Sequence, residues 1–199
     1  MKLTTTLNLL RKHNACVTGL KILIDNVGKD YAEDKPINLL TILESNCVGH
    51  FFWATRAIEQ NFIDVKSTLI SILCDIAESV LYIFESKHPG NSRPRDAIEA
   101  ARKVAADDTE ENRNAAKSAA YSSATAYRAA SYAPAAAYIA ADYASASPDA
   151  DADDASADAV EAAKSAAYAD YRAGAYANYD VNEREKQKEI IKKYLSWED

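Results

Sequence analysis

"IDVKSTLISILCDIAESVLYIFESKH", residues 63–88, carries the longest hydrophobic signal in the chain. Leu69, Ile72, Leu73, Ile76, Val80, Ile83 and Phe84 recur at three- and four-residue steps, which gathers them on one face of a helix turning ~100° per residue. Asp75, Glu78, Tyr82 and Glu85 make a polar stripe beside that face. A helix over 63–87 with its apolar face buried is therefore the expected central post of the core. No stretch anywhere alternates Val, Ile or Thr around a hairpin turn, and only five glycines and five prolines punctuate 199 residues. The fold class predicted is all-α, a multi-helix bundle.

On the N-terminal side, "TTTLNLLRKHNA" (4–15) and "CVTGLKILIDNVG" (16–28) read as two short helices, the second ending near Gly28. "PINLLTILES" (36–45) reads as a helix opening on Pro36, and "NCVGHFFWATRAIEQ" (46–60) follows it. On the other side, "HPGNSRPRD" breaks the pattern and "RPRDAIEAARKVAADD" restarts it, placing Arg93, Arg95, Glu99 and Arg102 where they can pair with the acidic stripe of 63–87 as a surface salt-bridge network. Residues 1–106 thus read as a helical core and 107–199 as an Ala/Tyr-rich repeat region packed on it, in one continuous domain. The closing "NEREKQKEIIKKYLSWED" reads as an amphipathic helix that docks on the bundle through Ile190, Ile191, Tyr194, Leu195 and Trp197.

The repeat region has its own logic. Tyr121, Tyr132 and Tyr143 are eleven residues apart, as are Tyr127 and Tyr138, so each set forms a slowly drifting stripe on a helix. Pro134 breaks or kinks it. "AAKSAAY" occurs at 115–121 and again at 162–168, and "YRAASYA" (127–133) is matched by "YRAGAYA" (171–177), which reads as a duplicated helical hairpin. Alanine lets helices approach closely, while tyrosine supplies large buried area or, alternatively, an exposed binding face.

Charge separates the halves. Residues 1–92 carry ten acids and nine bases, whereas 93–199 carry twenty and fourteen, and from 129 to 163 there are seven acids and no Lys or Arg. Such a surface disfavours phosphate binding and favours a basic partner. Asp149, Asp151 and Asp153 resemble the start of a calcium loop, but Asp154 stands where glycine is needed and Val160 where glutamate is needed. Cys16, Cys47 and Cys74 lie about thirty residues apart and read as reduced, buried thiols, and His13, His50 and His88 as structural or exposed. No metal, no cofactor, no nucleophile–base pair and no phosphate loop is expected. The N-terminus lacks the apolar run of a signal peptide, so a cytoplasmic protein is expected.

The ordered set "LLRKHNACVTGL", "ILESNCVGHFFWATRAI" and "CDIAESVLYIFESKHPGNSRPRDAIEAAR", followed by an alanine- and aromatic-rich tail, resembles the immunity-protein-five-like family of bacteria and phages over about residues 8–180. That resemblance implies an all-helical, non-catalytic protein that neutralises a toxin or another antagonist by binding it, with phage-encoded counter-defence as one setting.

Together these readings predict a non-catalytic binding protein whose partner is a toxin, nuclease or defence effector with a basic surface. The contact residues expected are Tyr127, Tyr138, Asp142, Tyr143, Asp149, Asp151, Asp153, Asp154 and Asp158. Neither direct nucleic-acid binding nor membrane binding is expected. Two other readings remain open: a nucleic-acid mimic, which needs two rows of exposed acids, and a helical protein that sequesters a small molecule in a tyrosine-lined cavity.

Overall fold

The structure, a computed structural model, describes residues 1–130, 133–146, 161–162, 165 and 179–197, with the side chains of 62, 127–130, 133–134 and 179–183 excepted. It is an all-α multi-helix bundle. Helices α1 (Leu7–Lys12), α2 (Val17–Val27), α3 (Leu39–Ser45) and α4 (Val48–Ala54) precede the long α5 (Phe62–Glu85). Then follow α6 (Arg93–Ala106), α7 (Glu110–Ala130), α8 (Ala133–Ser145) and α9 (Tyr179–Tyr194).

α5 starts where Asn61 caps it, its side-chain oxygen accepting from the Ile63 amide at 3.1 Å, with Asp64 in the first turn favouring the helix dipole. Leu69, Ile72, Leu73, Ile76, Val80, Ile83 and Phe84 are all buried. Burial also takes in Ile70, Cys74, Ala77 and Leu81, because α6, α8 and α9 cover the helix from several sides. By length and composition α5 would suit a membrane span, yet its apolar surface is spent on this core.

The polar stripe is where α6 is tied down. Arg95 grips Glu85 with two parallel bonds of 2.7 and 2.8 Å, and Arg102 donates to Asp75 at 2.7 Å and Glu78 at 2.6 Å. Glu99 adds its charge to Arg95. Arg93 departs from the expected pairing: it donates to Asn91 and, at 2.7 Å, to Thr125 of α7, since it sits at the first position of α6, beyond the end of α5.

Two short segments depart from the helical reading. Thr4–Thr5 and Ile37–Asn38 form a two-residue antiparallel pair, β1 and β2, with Thr4 opposite Asn38. Thr4 is held extended by a bond from its amide to Gln60, and α1 begins only after Thr6 caps it through Leu9 N–H at 3.1 Å. For the same reason α3 opens on the cap Asn38, whose side chain accepts from Leu40, and not on Pro36. Gly28 ends α2 as expected, at φ 104°, a conformation that L side chains rarely adopt.

The second half is cored by alanine. α7 and α8 lie side by side, and α8 also packs against α5 and α6, so Ala136, Ala137, Ala140, Ala141 and Ala144 are fully buried. Pro134 is the second residue of α8, in its first turn, where a missing amide costs little, and α8 packs alongside α7 instead of extending it. The eleven-residue tyrosine stripes therefore do not run along one continuous helix. Of the second "AAKSAAY" copy, only Ala162 and Ser165 are described; Ala162 is buried where its counterpart Ala115 is exposed. The remainder of that copy, and with it the comparison of the two hairpins, lies outside the described residues. Ala140→Leu is expected to lower stability by about 1–3 kcal/mol through overpacking between α8 and its neighbours, measured by chemical denaturation. A neutral substitution would mean that the alanine seam has room to spare.

α9 returns to the N-terminal half. Ile190, Ile191 and Leu195 are buried as expected, Tyr194 is half-buried, and Trp197 is 54% exposed. The Tyr194 hydroxyl donates to Asp75 at 2.8 Å, Lys192 pairs with Glu44 at 2.6 Å, and Asn38 donates to the Ser196 carbonyl at 2.9 Å. Ser196 N–H in turn donates to the Met1 carbonyl at 2.8 Å, which ties the two ends of the chain together.

Candidate functional site

Three of the nine expected contact residues, Tyr138, Asp142 and Tyr143, have side chains among the described residues. Tyr143 is 2% exposed and belongs to the core, a correction that follows from α8 being enclosed by three helices. Tyr138 is half-buried and packs against the same cluster. Asp142 is half-buried; burial pushes its carboxyl above the usual range while Lys117 of α7 pulls it back. The Tyr127 side chain and Asp149, Asp151, Asp153, Asp154 and Asp158 lie outside the described residues. Tyr121, which was not among the nine, is 64% exposed on α7.

One buried cation fixes the end of α8 from which the acidic stretch continues. Lys66 of α5, its side chain 5% exposed, donates to the Ala146 carbonyl at 2.7 Å and to Asp108 at 3.1 Å. Burial pushes the Asp108 carboxyl up, but hydrogen bonds from Arg113 and Lys66 hold it below the usual range. Removing Asp108 would leave the buried Lys66 charge without its counter-ion, so the pair costs more to break than to keep.

A second constellation lies in the N-terminal half. Cys16 and Cys47 each occupy the cap position of a helix, α2 and α4. Cys16 is exposed and its Sγ accepts from the Gly19 amide at 3.3 Å. His50, one turn into α4, places Nε2 3.5 Å from Cys16 Sγ and Nδ1 3.1 Å from Cys47 Sγ. Gly19 makes that approach possible, since a Cβ there would stand 2.7 Å from the His50 ring. The group borders a cleft of about 250 Å³ walled by Leu10, Leu20, Leu23, Ile42 and Trp53.

Two sequence expectations change here. Only Cys74 is a buried thiol, and a cysteine–histidine pair does exist, because α2 and the α3–α4 junction are held together by Asn46 donating to the Gly19 carbonyl at 2.8 Å. The visible signal was Cys47-Val-Gly-His50, whose three-residue spacing puts both side chains on one helix face; Cys16 is joined to them only by the fold. The two thiols sit on different nitrogens of one ring, and no metal-binding group of three such side chains occurs among the described residues.

Comparison with protein-family models, with curated proteins and with solved structures finds no match.

Proposed function

We propose that this chain is a non-catalytic binding protein that neutralises a toxin or defence effector by docking on the effector's basic surface. The single observation that carries the reading is the charge of the second half: seven acids and no Lys or Arg between residues 129 and 163. Opposite charge raises encounter rates and selects partners more than it adds affinity, which suits an inhibitor that must find its target quickly. Tyr121, exposed on α7, offers an amphipathic anchor of the kind enriched at interface centres. The resemblance to immunity-protein-five-like proteins supports the same reading, with a nuclease as a suitable class of partner.

The test is a charge reversal. A variant with Asp149, Asp151, Asp153 and Asp154 all replaced by lysine is expected to fold like the wild type, since it leaves every apolar residue of the core in place. Used as bait in lysate, the wild type should capture a basic protein that the variant loses. Capture of the same protein by both, in equal yield, would contradict the acidic-docking reading. Capture of nucleic-acid-binding proteins as a class, competed by duplex DNA, would favour mimicry of a nucleic acid instead.

A further inference from the structure

Either neutral tautomer of His50 satisfies the Cys16, His50 and Cys47 group, and one of them suits His50 to take a proton from Cys16. With Nδ1–H donating to Cys47 Sγ, Nε2 is free to accept from the Cys16 thiol. Cys16 is then an accessible sulfur at the start of an eleven-residue helix, beside a proton acceptor and at the mouth of an apolar cleft. Cys47 is half-buried, and burial keeps the Cys74 thiol protonated up to about 12, so neither competes with Cys16 as a nucleophile.

The surroundings select the chemistry. Acyl transfer needs donors aimed at a developing oxyanion. Here the Gly19 amide is turned onto Cys16 Sγ itself and Asn46 Nδ2 onto the Gly19 carbonyl. Thiol–disulfide exchange needs no such donors, only a reachable sulfur, a route for its proton and room for the incoming group. The aliphatic and indole walls favour an uncharged, largely apolar body, and a net charge of −7 repels anionic reagents. At about 250 Å³ the cleft lies just below the ~300–1,000 Å³ usual for ligand pockets, which limits that body to a small one.

We propose that Cys16 is a thiol-modification site that exchanges with small, uncharged, apolar disulfides, with His50 as proton acceptor and Cys47 as the residue that positions His50. Cys16 Sγ attacks one sulfur of the disulfide; a new S–S bond forms as the old one breaks. The thiol proton passes to His50 Nε2 and then to the departing thiolate. One thiol and one disulfide are consumed, and one mixed disulfide and one thiol are produced. The imidazole stands between the two cysteines, so the adduct remains on Cys16 until an external thiol removes it.

The experiment treats the full-length folded protein with dithiodipyridine, a neutral aromatic disulfide, and reads the adduct by intact mass and peptide mapping and the rate by the thione released. One adduct is expected, on Cys16, absent in Cys16→Ser, forming faster than with the dianionic bis(nitrobenzoate) disulfide. His50→Gln, or His50→Asn if the glutamine variant does not fold, should slow it at least about tenfold. Cys47→Ala should also slow it, and Cys47→Ser, which keeps an acceptor for Nδ1–H, should restore much of the rate. A first adduct on Cys47 or Cys74, or equal rates in wild type and a folded His50 variant, would overturn the assignment.

Discussion

Truncating Ile76 to alanine is expected to destabilise the protein by roughly 2–5 kcal/mol. Ile76 lies midway along α5 and is fully buried, with Leu69, Ile72, Leu73, Val80 and Phe84 on the same face. Removing its branched side chain gives up the transfer energy of the lost methyl and methylene groups and leaves a cavity that the surrounding helices fill only in part. α5 is covered by α6, α8 and α9 at once, so closing that cavity would require several packed elements to move together. Denaturant unfolding followed by far-ultraviolet circular dichroism reads the effect as a lower midpoint at unchanged slope. A loss below about 1 kcal/mol would mean that α5 is not the post around which the bundle is built.

Alkaline pH is expected to have an effect of comparable size. Burial pushes the Cys74 thiol up from an ordinary 9.0 to about 12, and burial together with the hydrogen bond to Asp75 pushes the Tyr194 phenol up from 10.0 to about 12. Both groups are held neutral in the fold and ionise more readily in the unfolded chain. Their contribution is therefore complete below about pH 9, falls as the unfolded thiol and then the unfolded phenol ionise, and is gone once pH passes about 12. At ~1.4 kcal/mol per pH unit the contribution of Cys74 alone reaches roughly 4 kcal/mol. Denaturation midpoints measured from pH 8 upward should fall steadily, and Cys74→Ala should remove the earliest part of that fall. A flat profile to pH 11 would contradict the burial of both groups.

The sequence was most legible where side chains are large. The 63–87 face, the Gly28 stop and the apolar side of the last helix follow from periodicity and glycine geometry, and each is found in place. Alanine was harder to read. A helix such as α8 has apolar residues nearly all round, so its composition fits both a free amphipathic surface and a fully enclosed core, and only the packing of α5, α6 and α7 around it decides. Tyr143 shows the consequence: its sequence position fits a core residue and a contact residue alike, and the packing encloses it. The strand pair Thr4–Thr5 with Ile37–Asn38 was equally hidden, because two residues carry no alternation and the bonds that hold them, to Gln60 and Leu39, are distant in sequence. The Cys16 and His50 pair was hidden too, since it depends on a glycine that lets two helices meet.

These features divide the molecule chemically. Large aliphatic groups hold the N-terminal half and its cleft, and alanine packing seats α8 among α5, α6 and α7 while leaving the acidic residues of the second half to determine its charge. Binding through that charge is the central claim, and its most direct test is kinetic. The association rate of the wild type with its captured partner should fall steeply as salt is raised, because screening shortens the reach of the field from about 30 Å at 0.01 M to about 8 Å at 0.15 M. In the variant with Asp149, Asp151, Asp153 and Asp154 replaced by lysine, the rate at low salt should drop towards the high-salt wild-type value and lose most of its salt dependence. Equal association rates for the two proteins at low salt, with no salt dependence in either, would contradict the account.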